Sequence, residues 1–309
     1  MQKITHLMPV RNGERYLEQA WRGILQNFAF GDEVIIINDG STDQTSNLLK
    51  QISENFHDVR VIETKSNGIV AALNTGFNES SNSWVARYDV DDTYPMHRIS
   101  TQRRLISDDV SVIFADYQMH LENGFNMGLF PSPITDFASK VSLLRSQQTA
   151  HSVALVNRDH FNLAGGYLSE DFPAEDLGLW IRISQFGKIL SVPEVLMKYR
   201  LSNSSTSGAR QVEAHKVRQD LTNNMSNLLR SDAVLDYLIL ETLETYKSTS
   251  FEKLRIILFL RNLELAESLG LLPKTGLNFS KFKLISEGPL DIGQAIWHKT
   301  MRDLYRKLR

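Results

Sequence analysis

The residues of this 309-residue chain that are most able to do chemistry are three aspartates behind a short apolar segment. Asp89, Asp91 and Asp92 end the run that begins at Trp84. Because side chains alternate across a strand, Asp89 and Asp91 would point to the same side. Carboxylates that converge in this way can hold a divalent cation, and such a cation can bind a diphosphate. An acidic turn at a strand end is the alternative interpretation.

Strand-like and helix-like segments alternate around these aspartates. Strands are predicted at 4–10, 33–37, 59–63 and 84–88, with helices between them. The alternation indicates βαβ units and a mostly parallel sheet. Ligands of such sheets bind beyond the carboxyl ends of the strands, and residues rich in Gly, Asn and Asp follow the first, second and fourth of these segments. The sequence therefore predicts an α/β fold with a binding site at that edge.

The remainder of the chain has a different pattern. Residues 110–207 mix short strands with loops, and one clear helix follows Ala174. The polar run 202–208 predicts a linker. Helical patterns then follow at 212–229, 233–246, 251–269 and 292–309. We therefore expect one domain at 1–207 and a helical region at 208–309.

Composition limits the classes of protein to consider. A hydrophobic content of 42% with 23% charged residues is typical of a globular protein. The formal net charge of −2 provides no electrostatic footprint for nucleic acid, so no nucleic-acid partner is expected. The absence of cysteine excludes disulfides and thiolate metal ligands. With no apolar segment of membrane-spanning length and no signal-peptide core, we expect a cytoplasmic protein, at most peripheral at the inner face of the cell membrane.

An ordered series of motifs resembles the family 2 glycosyltransferases. The segments that carry this resemblance lie at 8–14, 36–43, 67–76, 86–92, 150–152, 165–167, 175–180, 193–196 and 199–200. It implies the GT-A fold, in which a mostly parallel sheet is flanked by helices, with a helical C-terminal extension here. It also implies an inverting enzyme that uses nucleotide-diphosphate sugars, with a nucleotide-binding half at 1–109 and an acceptor-binding half at 110–207.

The resemblance implies particular contacts with the donor. Asp39 would accept a hydrogen bond from the uracil imide, and Asp91 would bind Mn²⁺ or Mg²⁺, since all-oxygen ligation suits those ions. The full set of implied nucleotide contacts is Pro9, Val10, Arg11, Asn12, Glu14, Asp39, Asn67, Gly68, Asn74, Asp89 and Val90. An Asx turn or a helix N-cap is the alternative role for Asp39.

The resemblance also implies a catalytic base, which we assign to Asp176. Acids in the first turn of a helix complement its dipole, and this is the alternative interpretation of Glu175 and Asp176. The residues implied near the donor sugar or the acceptor are Arg87, Asp92, His151, Glu175, Trp180 and Arg200. For Trp180 a place in the core is the alternative. For His151 it is a buried structural histidine.

Two positions depart from the pattern of the family. Arg11 stands where an aromatic residue usually lies beside the base, although a guanidinium can also stack on uracil. Ser202 stands where many relatives have a histidine after Tyr199-Arg200. We therefore expect the diphosphate to rely on Asp91 and on a basic side chain such as Arg200.

The last segment, 292–309, predicts a basic amphipathic helix with Trp297 near its start. Such a helix can lie on an anionic membrane surface, which would suit a lipid-linked acceptor. The alternative is that its apolar face docks onto the protein itself or onto the second subunit of a homodimer.

Taken together, these patterns predict an inverting transferase. It would move a hexose or N-acetylhexosamine from a UDP-sugar to a hydroxyl of a glycan or lipid-linked saccharide, in the synthesis of a bacterial surface polysaccharide such as O-antigen, capsule or lipopolysaccharide. Two other interpretations stay open. Residues 89–93 also fit the motif of haloacid-dehalogenase-like phosphatases, with Asp89 as nucleophile. The chain could instead be a sugar-nucleotide-binding subunit without turnover.

Overall fold

The structure, a computed structural model, describes residues 2–143, 149–201, 216–218 and 220–221. They belong to two compact units, one formed by 1–132 and 148–221 and the other by 133–147 and 222–309. Ser202, the predicted linker and the 292–309 segment lie outside the described residues. So do the other helices predicted beyond 207, apart from 216–218 and 220–221, which are helical.

The first unit contains a single mixed sheet with helices beside it. Its strands are β1 (Ile4–Val10), β2 (Glu33–Asp39), β3 (Val59–Thr64), β4 (Trp84–Arg87), β5 (Val110–Leu121), β6 (Asn126–Phe130), β7 (Leu155–Asn157) and β8 (Lys188–Leu201). The helices of the described chain are α1 (Leu17–Asn27), α2 (Thr45–Asn55), α3 (Ile69–Glu79), α4 (Arg98–Gln102), α5 (Asp136–Leu143), α6 (Arg158–Leu163) and α7 (Glu175–Ile183). Of these, α5 belongs to the second unit.

The strand order explains where the site forms. Neighbouring strands run β3-β2-β1-β4-β7-β5-β6, and β8 pairs with β5. The strands β3, β2, β1 and β4 are parallel to one another, whereas β7 is antiparallel to both β4 and β5. The carboxyl ends of β1, β2 and β4 therefore meet at one edge. The predicted α/β fold with a mostly parallel sheet is confirmed, and each of the four predicted strands is present within two residues of its expected bounds.

A buried arginine supports the end of β4. Arg98 is fully buried and donates a hydrogen bond of 2.8 Å to the carbonyl of Arg87, the last residue of that strand. Its guanidinium lies 4.3 Å from the ring centroid of Tyr88 and 4.6 Å from that of Tyr94. Cation–π contacts of this kind are strongest where water is excluded. Arg98 therefore fixes the end of β4, after which the aspartates follow.

Within the residues that the structure describes, no helix is both long enough and apolar enough to span a bilayer.

Candidate functional site

The three aspartates form a cluster at the carboxyl edge of the sheet. Asp89, Asp91 and Asp92 follow the end of β4, and each contributes a carboxylate oxygen that lies within 4.8 Å of the others. The backbone N–H of Asp89 donates to the hydroxyl of Tyr94 at 2.8 Å, which fixes the start of the turn. The convergence predicted for these carboxylates is therefore present in the folded chain.

A buried arginine lies against this cluster. Arg87 is only 3% exposed, and its Nη1 lies 2.6 Å from a carboxylate oxygen of Asp89. Burial opposes the charge of the guanidinium, but the neighbouring Asp89 outweighs it and raises the pKa of Arg87. Arg87 thus supplies one fixed positive charge to a group of three acids.

The charge of Arg87, even with that of Arg200 nearby, does not balance the three carboxylates. Burial, followed by the repulsion of Asp89, raises the pKa of Asp91 to about 6. The same two causes, with the charge of Asp91 in addition, raise the pKa of the fully buried Asp92 well above its ordinary value. Three hard oxygen donors that repel one another fit a divalent cation such as Mn²⁺ or Mg²⁺, because such a cation would relieve the repulsion.

Arg200 and Ser152 complete the surroundings of the cluster. The backbone N–H of Arg200 donates to Asp92 at 2.9 Å, and its Nε donates to the carbonyl of Asp91 at 3.0 Å. The guanidinium lies 5.0 Å from the centroid of the Tyr16 ring. The hydroxyl of Ser152 donates to the other carboxylate oxygen of Asp92. The structure thus places Arg200 beside the acidic cluster, where a diphosphate would need a positive charge.

Asp39 lies at the end of β2 and binds the turn that precedes α3. Its carboxylate accepts hydrogen bonds from the hydroxyl of Thr64 at 2.6 Å and from the backbone N–H groups of Asn67 and Gly68 at 2.8 and 2.9 Å. Burial raises its pKa, but these hydrogen bonds outweigh burial and lower the pKa of Asp39 overall. Asp39 is therefore ionised and fixed in position. These hydrogen bonds form neither an Asx turn nor an N-cap of α2, which were the alternative roles for Asp39.

Asn12 and Glu14, which are predicted to bind the nucleotide, also connect the loops that follow β1 and β2. The side-chain oxygen of Asn12 accepts from the N–H of Thr42 at 2.8 Å. The carboxylate of Glu14 accepts from the N–H of Gln44, the residue before α2, at 2.7 Å. These oxygens satisfy backbone donors at the start of a helix, as capping residues do. The side chains are thus engaged by the protein itself, which sequence patterns did not predict.

The other residues predicted to contact the nucleotide differ in exposure, and some are closely packed. Pro9 and Val10 are buried within β1, whereas Arg11 is exposed. A Cβ on Gly13 would lie 2.6 Å from Val10 and 3.0 Å from Val90, so only glycine permits this approach of the two loops. Val90 therefore packs at the junction of the β1 loop and the acidic turn.

Asn74 is engaged in the same way. Its Nδ2 donates to the carbonyl of Tyr167 at 2.8 Å, and its Oδ1 accepts from the N–H of Tyr167 at 3.0 Å. Both ends of the amide are therefore taken by one backbone segment. The nucleotide contact predicted for this side chain stays a prediction, since each end of the amide has one further hydrogen bond to give or accept.

Two further predictions for sugar contacts require correction. Trp180 is fully buried and packs edge-on against Phe114 and His151 at centroid distances of 5.1 and 5.7 Å, so it belongs to the core. His151 forms a 2.7 Å hydrogen bond between its Nε2 and the hydroxyl of Tyr167. Burial and the nearby charge of Arg87 lower the pKa of His151 well below its usual range, so the ring is neutral. Its alternative interpretation, a structural histidine, describes it better.

Glu175 and Asp176 form the first turn of α7, as the helix interpretation predicted. Oδ1 of Asp176 accepts from the N–H of Leu177 at 2.7 Å. Burial, and then the charges of Asp176 and Asp89, raise the pKa of Glu175 to about 7. The role of Asp176 as the base opposite the metal ligands stays a prediction.

Three residues that sequence analysis did not single out support the site. Tyr16 lies beside Arg200, Tyr94 binds the backbone of Asp89, and Ser152 binds Asp92. Only Ser152 carried a signal in the sequence, since it is part of the motif at 150–152. The other two are aromatic residues whose partners lie on distant or turning segments, and no periodicity marks such contacts.

Comparison with known proteins connects this geometry to a family. The family profile described as Glycosyl transferase family 2 matches residues 5–162. An uncharacterized glycosyltransferase of Haemophilus influenzae is 27% identical over 225 residues, which is 68% of this chain and 69% of that protein. The amylovoran biosynthesis glycosyltransferase AmsE of Erwinia amylovora is 24% identical over 202 residues, which is 63% of this chain and 74% of AmsE. Two other relatives are longer, and the chain spans 17% and 33% of their lengths.

A solved structure has the same fold. The crystal structure of S. aureus TarS residues 1–349 in complex with UDP-GlcNAc aligns with a TM-score of 0.58 at 15% identity, covering 100% of this chain and 82% of that 1–349 chain. The strand that carries the aspartates is the fourth along the chain, and the family profile extends across it. These findings replace the phosphatase interpretation, and the chain belongs to glycosyl transferase family 2.

Proposed function

We propose that this glycosyltransferase moves a hexose or N-acetylhexosamine from a UDP-sugar to a hydroxyl of a glycan or lipid-linked saccharide. The reaction would be a single displacement that inverts the configuration at the anomeric carbon. The observation that carries the proposal is the acidic cluster of Asp89, Asp91 and Asp92, whose carboxylate oxygens lie within 4.8 Å of one another after the end of β4. TarS, whose fold is shared, was crystallised with UDP-GlcNAc, and this supports a UDP-sugar as donor.

Asp91, with Asp89 and Asp92 beside it, would hold Mn²⁺ or Mg²⁺. When bound, a divalent cation supplies the positive charge that stabilises the diphosphate as it leaves. Arg200 would contribute a second positive charge, since its Nε is already fixed on the carbonyl of Asp91. Arg87 orients Asp89 through their ion pair of 2.6 Å.

The acceptor hydroxyl needs a base on the side of the anomeric carbon opposite to the diphosphate. Asp176 is our choice, because it lies in the first turn of α7 in the acceptor half and a carboxylate suits this role. The proton of the acceptor hydroxyl would pass to the carboxylate of Asp176 as the new glycosidic bond forms. Glu175, with its pKa near 7, would support this site or contact the acceptor.

We assign the uracil and the ribose of the donor to the loops after β1 and β2. Asp39 retains lone pairs beyond those that bind Thr64, Asn67 and Gly68, and one of these would accept the uracil imide. Arg11, which is exposed beside this loop, would stack on the base. The backbone of Pro9 and Val10 would form the floor.

A role in surface polysaccharide synthesis is part of the proposal. AmsE, which the chain resembles over most of its length, is named for amylovoran biosynthesis. A lipid-linked acceptor would bring the enzyme to the inner face of the cell membrane, and the basic 292–309 segment would contact that surface.

A thermal-shift experiment tests the donor and the cation together. We expect UDP-sugars, but not GDP-, CMP- or dTDP-sugars, to raise the melting temperature, and only when Mn²⁺ or Mg²⁺ is present. Asp91→Ala should abolish this gain, whereas Asp108→Ala, at an exposed acid away from the cluster, should retain it. A metal-independent gain would refute the cation site. Binding of UDP without transfer to any acceptor and without slow donor hydrolysis would favour a binding subunit instead.

A further inference from the structure

The side chain of Asn74 connects the two halves of the first unit. Asn74 lies on α3, directly after the donor turn that Asp39 holds, whereas Tyr167 lies 93 positions later in the acceptor half. The two hydrogen bonds between them, of 2.8 and 3.0 Å, satisfy both backbone groups of Tyr167. A Cβ on Gly166, which has a φ of +67°, would lie 2.9 Å from the Asn74 oxygen. The Asn74 amide therefore packs closely against this segment, and a residue larger than glycine at position 166 would clash with it.

Tyr167 carries this connection toward the acidic cluster. Its ring is 2% exposed, and its hydroxyl bonds to His151 at 2.7 Å. The next residue after His151 is Ser152, whose hydroxyl binds the carboxylate of Asp92. A continuous series of contacts therefore leads from α3, through Tyr167 and the 151–152 segment, to one of the three aspartates.

The same segment is also tied to the helix that carries the proposed base. Arg182, in the last turn of α7, donates from Nη2 to the carbonyl of Gly166 at 2.8 Å and from Nε to the carbonyl of Ala164 at 3.1 Å. α7 begins with Glu175 and Asp176. The Gly166-Tyr167 segment is therefore held from the donor side by Asn74 and from the acceptor side by Arg182.

We propose that Asn74 is a positioning residue, which through Tyr167 sets the placement of the proposed base relative to the acidic cluster. This inference rests on the proposed transfer reaction and adds a residue to it. In this role Asn74 touches neither donor nor acceptor. Its loss would let the Gly166-Tyr167 segment move while the nucleotide loops, which are held by Asp39, Asn12 and Glu14, stay in place.

The first test separates positioning from nucleotide contact. We would compare Asn74→Ala with Asn78→Ala, an exposed asparagine on the same helix. The readouts are the Kd for UDP with Mn²⁺, by calorimetry, and the rate of hydrolysis or transfer at saturating UDP-sugar. For Asn74→Ala we expect the Kd to stay within about twofold and the rate to fall about tenfold or more, since misplacement of catalytic groups mainly lowers the rate. A Kd raised by a comparable factor with the rate intact would overturn the inference.

A second test needs no nucleotide. In protein with ¹⁵N-labelled histidine, the ring signals of His151 report on its bond to the Tyr167 hydroxyl. Asn74→Ala should shift these signals in the direction seen for Tyr167→Phe, and Asn78→Ala should leave them unchanged. An unmoved His151 in Asn74→Ala would refute the inference even if the enzyme is active. If no UDP-sugar binds the unsubstituted protein, the proposed function fails, and this second test still decides the role of Asn74.

Discussion

Asp39 and Asp91 both follow parallel strands of one sheet, yet their surroundings shift their pKa values in opposite directions. Asp39 receives three hydrogen bonds, and these lower its pKa despite burial. Asp91 is buried beside two other carboxylates, and its pKa rises to about 6. The nucleotide loops are therefore satisfied by protein groups alone. The acidic cluster is not.

This difference indicates how the two regions work. Loops whose polar groups are already paired keep their shape without a ligand and can recognise one by the surface they present. A cluster of uncompensated acids stores unfavourable energy that a cation can relieve, so its binding is coupled to charge. The structure thus combines preformed loops, to which we assign the nucleotide, with an acidic cluster whose negative charge is not fully compensated. Substitutions in the two regions should consequently have different signatures.

The largest effect should follow from Asp176→Asn. Asparagine keeps an oxygen for the N–H of Leu177, so the start of α7 should persist while the proton acceptor is lost. We expect the rate of transfer to fall by about 10²–10⁴-fold, with the Kd for UDP unchanged. Glu170→Gln, at an exposed acid before α7, is the matched control. Transfer that survives in Asp176→Asn would refute the assignment of Asp176 as the catalytic base.

Asp39→Ala tests the loops to which we assign the nucleotide. The substitution leaves the hydroxyl of Thr64 and the N–H groups of Asn67 and Gly68 without their acceptor. We expect the free energy of unfolding at pH 7 to fall by about 2–3 kcal/mol, together with weaker UDP binding. Urea denaturation with and without UDP measures both, and Asp58→Ala, at an exposed aspartate, is the control. Because the folded pKa of Asp39 is depressed, its stabilisation should be lost as the pH falls toward 4 and below.

Asp91→Asn should raise the free energy of unfolding in the absence of cations, whereas Asp39→Ala lowers it. The pKa of Asp91 is about 6 in the folded chain against an ordinary value of 3.8, so the folded state binds more protons in this range and becomes less stable as the pH rises through it. Removing the charge should therefore raise the free energy of unfolding by about 1–2 kcal/mol at pH 7.5 in EDTA, and by less at pH 5. Mn²⁺ should stabilise only the unsubstituted protein. A lower free energy of unfolding for Asp91→Asn in EDTA would mean that the negative charges of the cluster are already compensated.

Ser152→Ala should produce the smallest change. It removes the hydroxyl that donates to the buried carboxylate of Asp92, while the N–H of Arg200 remains. We expect a loss of about 1 kcal/mol in the free energy of unfolding. Chemical denaturation measures it against Ser169→Ala, at an exposed serine. A loss several times larger would show that Ser152 stabilises the acidic cluster by more than its single hydrogen bond to Asp92.

Much of the fold was predictable because local patterns encode it. The continuous apolar run in β2 and the alternating helical segments predicted the strands of the parallel half within two residues. Glu175 and Asp176 do begin a helix, as acids in a first turn favour. The ordered motifs that include Asp39 and Asp91 predicted the family. These features depend on neighbours close along the chain, so the sequence shows them directly.

Individual contacts were less predictable. Asn12, Glu14 and Asn74 have side chains suited to a ligand, and their sequence positions agree with that role, but each one also binds a backbone group, which the sequence did not predict. Trp180 could have formed a sugar platform but is enclosed by Phe114 and His151. Residue type and spacing do not distinguish a polar group that meets a ligand from one that meets a distant loop.

Sequence alone therefore determined the βαβ order, the family and the set of acids at the strand ends, since periodicity and turn chemistry act over a few residues. Tertiary structure decided which of those polar groups have partners and which way each carboxylate's pKa moves. The reason is distance along the chain. Asp39 meets Asn67 across 28 positions and Asn74 meets Tyr167 across 93, and only folding brings such pairs within hydrogen-bonding reach.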